Sequence, residues 1–220
     1  MILTEIKPKL YHAKFLTQYE MCMTMLRLQE FYESPYKEIK GKYFEVEEYM
    51  DRYVKDLGKF TYCEVWNGFN VPGQAINDFL KIHMPGLRPR ENMLFNNLEK
   101  LYSNFCINPD YYFIATVNDN VIMHETAHAY YYLKPKYKQE IDNLISKIPS
   151  NYKSIYYKQL LKKGYCKEVL DDEIQAYFLD SYNYGSDLLL KTGIGAVEVL
   201  NEKTKQLFKP FYNIFKKYDK

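Results

Sequence analysis

The chain is short of several residue types, and each shortage narrows what it can be. One tryptophan, four histidines, four cysteines and four arginines (Arg27, Arg52, Arg88 and Arg90) are spread over 220 residues. No apolar run approaches the roughly 20 residues that a membrane-spanning helix needs, so a transmembrane helix is excluded. The first residues, Met1-Ile2-Leu3-Thr4-Glu5, lack a basic stretch leading into an apolar one, and no secretory leader is expected. An excess of one charge is missing too, with 30 Lys and Arg against 28 Asp and Glu for a net charge of +2. That balance gives no electrostatic reason to expect nucleic acid or an anionic membrane as a partner. Cys22, Cys63, Cys106 and Cys166 stand at least 40 residues apart, with no CxxC pair. Reduced thiols and a cytoplasmic location are the expectation. Nor is there a P-loop, a GxGxxG or a GxSxG, which leaves nucleotide-driven and serine-hydrolase chemistry without support.

What the chain has in quantity is tyrosine and phenylalanine, 24 and 13 residues. Lys, Asn, Tyr, Phe and Ile share A/T-rich codons, so this excess reads as codon bias rather than as an aromatic binding surface. The 47% of hydrophobic residues suffices for one sizeable core or two small ones.

Periodicity and punctuation predict the elements. Apolar residues recur at helical spacing over 10–33 until Ser34-Pro35, and a second helix over 46–57 is closed by Gly58. Residues 60–66 alternate and read as a strand ended by Asn67-Gly68, and the Trp66-to-Gly73 stretch as a loop that could border a cleft. Helices follow over 73–83 and 90–103, then the best strand of the chain, 111–117. Beyond the breaker Asn118-Asp119-Asn120 every segment has a helical pattern: 121–133, 136–148, 151–163, 168–184 and 195–218. The expected fold is α+β: a single mostly helical domain, with a small mixed sheet in a sub-lobe of about 1–133 and an all-helical sub-lobe of 134–220.

The chemistry is concentrated in His124-Glu125-Thr126-Ala127-His128. Positions i and i+4 of a helix lie one turn apart on one face, so both imidazoles can reach a single metal ion. Glu125 is rotated off that line, where it can take a proton from a water on the metal. The flanking residues Val121 to Met123 and Thr126, Ala127, Ala129 and Tyr130 are uncharged, as a buried metal-bearing helix requires. His12 and His83 are isolated and read as structural.

These residues resemble the zincin superfamily of zinc metallopeptidases, whose signature is HExxH on the active-site helix. The resemblance covers about 111–184 and implies one zinc ion, His124 and His128 as ligands, and Glu125 as general base in peptide-bond hydrolysis. It also implies that an edge strand, here Tyr111, Phe113 and Ala115 in 111–117, lines the cleft and pairs with a protein or peptide substrate. No histidine follows His128, so the metzincin arrangement is absent, and the gluzincin type, with a Glu on a later helix as third ligand, is the better match.

That later helix is 168–184, on which Glu173, Ala176, Tyr177 and Asp180 share one face. Carboxylates on an apolar face are costly unless partnered, which points to Glu173 as the third ligand and Asp180 as an acceptor from a ligand histidine. Asp172 and Asp180 are the alternative ligands. Tyr177 is the first candidate to stabilise the oxyanion. Two other readings keep part of this picture. One is a zinc-dependent amide hydrolase with a non-protein substrate; peptide deformylase also uses HExxH, but with a Cys ligand in a Gly-rich context that Cys63 and Cys106 lack. The other is a catalytically inactive zincin-like binding or scaffold protein, for which an intact Glu125 would have no use.

Overall fold

The computed structural model describes residues 1–192, 196–199 and 202–220. In chain order the elements are β1 (Ile2–Lys7), β2 (Leu10–Lys14), α1 (Gln18–Glu33), α2 (Val46–Leu57), the one-turn α3 (Tyr62–Val65) and β3 (Gly68–Pro72). Next come α4 (Gly73–His83), α5 (Pro89–Leu101), β4 (Tyr112–Thr116), α6 (Ile122–Leu133), α7 (Pro135–Ser146) and α8 (Ser150–Lys162). The chain ends in α9 (Leu170–Tyr184), β5 (Ser186–Thr192), β6 (Ala196–Val199) and α10 (Glu202–Tyr218). The fold class is α+β and mostly helical, as expected. The chain divides into two compact units, Met1–Glu125 and Thr126–Lys220, with the boundary in the sequence of α6.

The first unit is built on a four-stranded sheet of order β1-β2-β4-β3. β1 and β2 form an antiparallel hairpin, β2 runs parallel to β4, and β3 runs antiparallel to β4. Alternation decides which side chains go where: Tyr11, Ala13 and Phe15 join Tyr111, Phe113 and Ala115 in the hydrophobic core, with Met25, Leu26 and Leu28 of α1 and Ile76 and Phe79 of α4. One guanidinium is buried completely in this unit. Arg27 of α1 donates from Nε to Glu91 Oε1 (2.8 Å) and from Nη2 to Glu91 Oε2 (2.6 Å), and further bonds reach the carbonyls of Phe44 and Gly86.

In the second unit the core is aromatic. Phe178 of α9 packs at a tilt against Phe208 of α10 with ring centroids 4.2 Å apart, and meets Phe211 and Tyr156 edge-on. Tyr130, Tyr137 and Phe215 continue the cluster between α6, α7 and α10. Among the described residues no helix is long and apolar enough to cross a membrane.

Several expected elements are corrected. Residues 10–14 form strand β2 rather than the start of a helix, and β1 precedes it. Residues 62–65 make one helical turn, not a strand, because Phe60, Tyr62, Tyr49 and Tyr53 pack as a ring cluster with no strand partner beside them. The strand lies just beyond, in the stretch expected to be loop. The C-terminal half is not all helical: 186–192 and 196–199 pair as antiparallel strands, and the expected helix over 195–218 begins at Glu202. Residues 195, 200 and 201 of that expectation lie outside the described residues.

Candidate metal centre

Helix α6 has neither Gly nor Pro, starts after a 3-10 turn over Asp119–Val121, and stops where Lys134-Pro135 opens α7. Its continuity puts His124 and His128 one turn apart. Glu173 sits in the first turn of α9. His124, His128 and Glu173 each offer a ligand atom, and all three atoms lie within 4.8 Å of one another. His128 Nε2 is 3.7 Å from Glu173 Oε1, and both residues are buried. Donors at about 2.0–2.1 Å from a tetrahedral zinc stand roughly 3.3 Å apart, so the His128–Glu173 pair is within a few tenths of an ångström of that spacing, and the three atoms, within 4.8 Å of one another, would draw together around an ion. Two neutral imidazoles and one carboxylate make the donor set of an open zinc site, with a fourth position for water. The residues fit the metal.

The other nitrogen of His128 has its own carboxylate. Nδ1 lies 3.0 Å from Asp172 Oδ1. Asp172, expected only as an alternative ligand, thus stands beside His128, and Asp180 is buried two turns further along α9. Asp172 Oδ1 also accepts from Gln175 Nε2 (3.0 Å), and Gln175 Oε1 accepts from the Tyr137 hydroxyl (2.8 Å). Burial, and then the Asp172 charge, push the Tyr137 phenol well above its ordinary value, so it stays protonated and donates.

Glu125 is 5% exposed and is held from the sheet. Asn70 of β3 donates from Nδ2 to Glu125 Oε2 (3.0 Å), and Asn70 Oδ1 accepts from the Tyr112 hydroxyl of β4 (2.6 Å). Gly68 leaves the room: a Cβ there would collide with Oε1 and lie 2.9 Å from Cδ of Glu125. The carboxylate and the β3 backbone approach each other as closely as glycine permits.

The expectation of an edge strand at 111–117 is overturned. β4 is bonded on both sides, by β2 and β3, so its backbone groups are spent within the sheet. Tyr111, Phe113 and Ala115 are each fully buried in the core and cannot meet a substrate. The terminal strand on that side is β3. Tyr177, one turn beyond Glu173, has its hydroxyl 3.2 Å from that of Tyr165.

Asn70, Gly68, Tyr112, Gln175 and Tyr137 were not singled out by sequence. A signal existed for the first two: Gly68 and Asn70 alternate with Phe69 and Val71, the period of a strand with one apolar face. Gln175 and Tyr137 carried none. Comparison with protein-family models, with curated proteins and with solved structures finds no match for this chain.

Proposed function

We propose that this chain is a zincin-like, zinc-dependent hydrolase of peptide bonds, with His124, His128 and Glu173 holding the ion. The observation that carries the reading is the convergence of those three side chains beside a buried glutamate fixed by Asn70. Zinc, when bound, supplies the Lewis acidity that makes water a nucleophile near neutral pH. Glu125 takes the proton from the attacking water and passes it to the leaving amine. Asn70, by donating to Oε2, orients the Glu125 carboxylate. An extended protein or peptide substrate is placed along β3, the terminal strand that brings Gly68 and Asn70 to Glu125. The cytoplasm is the proposed location, supported by four free cysteines.

Metal content and hydrolysis test the reading together. The purified chain is expected to hold about one zinc, by analogy with mononuclear catalytic sites. His124→Ala should lose it, and Glu125→Ala should keep it while losing hydrolysis of an unfolded protein substrate such as casein. Stoichiometric zinc in His124→Ala would overturn the site, and an active Glu125→Ala would overturn the mechanism.

A further inference from the structure

A buried glutamine and a buried tyrosine hydroxyl are costly residues for a helical core, and both are spent on one carboxylate. Gln175 and Tyr137 are each 1% exposed. Neither belongs to the donor set. Asp172 is an acceptor, so Gln175 must turn its amide nitrogen toward it, at 3.0 Å. That leaves Gln175 Oε1 facing Tyr137, whose hydroxyl must donate, at 2.8 Å. With Asp172 Oδ1 held 3.0 Å from His128 Nδ1, a small turn of the ring would align that nitrogen to donate to it and would confine the imidazole lone pair to Nε2, the atom that faces Glu173.

We infer that Tyr137 and Gln175 are positioning residues for the metal centre, a relay that locks Asp172 against His128 and so fixes the tautomer and ring orientation in which His128 binds zinc. The inference rests on the proposed zinc site. Asp172 needs this support because it lies in the first turn of α9 with its side chain 22% exposed, where water competes for it. Tyr137 comes from α7, a different helix, so the relay ties α7 to α9 through buried polar atoms. Removing the phenolic oxygen leaves Gln175 Oε1 without its donor, frees the amide to turn, and lets Asp172 swing to solvent.

The test is zinc affinity, measured on metal-free protein by competition with a chromophoric chelator. Tyr137→Phe, which keeps the ring and its packing, and Gln175→Leu should each weaken zinc binding about tenfold, and Asp172→Asn about 10- to 100-fold, the range for groups that orient a ligand histidine. In the Asp172→Asn background, Tyr137→Phe should cost nothing further. Affinity within twofold of wild type for both Tyr137→Phe and Gln175→Leu would overturn the relay while leaving the zinc site standing. Equal losses from Tyr137→Phe with and without Asp172→Asn would overturn it as well, since the hydroxyl would then act through general packing. A wild-type chain that binds no zinc would overturn the site and the relay together.

Discussion

Glu30 offers a prediction whose size follows from its surroundings. It lies in the last turn of α1, 6% exposed, with Ser34, Tyr49 and Tyr62 around its carboxyl. Burial raises the carboxyl from the ordinary 4.5 to about 7, and the three hydroxyls only partly offset that rise. The folded chain thus binds this proton more tightly than the unfolded chain does. The associated stability is fully present below pH 4.5, declines as pH rises through the interval up to about 7, and is gone above it. At about 1.4 kcal/mol per pH unit, the swing is about 3 kcal/mol. Glu30→Gln, neutral at every pH, should abolish it. Urea unfolding of both proteins from pH 4.5 to 8, in a chelator to keep metal linkage out, isolates the effect as a difference curve. Fluorescence of Trp66, the chain's one tryptophan, reports the unit that contains Glu30. The wild type should lose about 3 kcal/mol more than Glu30→Gln across that range. A flat difference curve, or one that rises with pH, would refute the assignment of this carboxyl as buried and proton-binding.

Two further outcomes follow from described contacts. Glu91→Ala takes from the buried Arg27 guanidinium its hydrogen-bonded carboxylate, leaving only Glu45 Oε2 at 3.7 Å, and should cost about 3 kcal/mol in urea unfolding, whereas Arg27→Met with Glu91→Leu should recover most of the loss. The recovery should stop about 1 kcal/mol short, because Glu91 Oε2 also accepts from the Arg88 N–H at the start of α5; no recovery at all would show that the pair is not the unit of stability. Gly68→Ala pushes the Glu125 carboxylate off β3 and should abolish hydrolysis of casein while zinc content stays that of the wild type. Full activity in Gly68→Ala would mean that the close approach of β3 does not set the base.

The helices were largely legible in the sequence because their signals are local. Gly58, read as the end of the second helix, does adopt the left-handed conformation with φ 80°, and α2 and α4 keep the boundaries that periodicity suggests. The strands were not, because a strand is defined by its partner. β2 pairs with β4 from the far side of five helices, and over 10–14 nothing nearby contradicts the helical spacing that Phe15 and Tyr19 continue. Asn67-Gly68 marks a strand boundary correctly, but the strand follows it instead of preceding it. Whether β4 is central or terminal depends on long-range pairing alone.

At the site, helical spacing brought out the histidine pair, Glu125 and Glu173, but gave no sign of the carboxylate beside His128. Successive helix residues fan out by about 100° around the axis, so Asp172 and Glu173 can straddle one imidazole and serve its two nitrogens.

The parallel pairing of β2 with β4 also has a consequence in time. Leu10 lies opposite Tyr112, and the residues between them include β3 and five helices. A ribosome adding roughly 5–20 residues per second needs about 5–20 s to supply the second strand after the first. During that interval the β1–β2 hairpin presents an unpaired edge that carries Leu10, Tyr11 and Ala13. Contacts of such long sequence separation slow folding as well, so the sheet that positions Glu125 closes late. The nascent chain is then most exposed to chance strand pairing before β4 emerges.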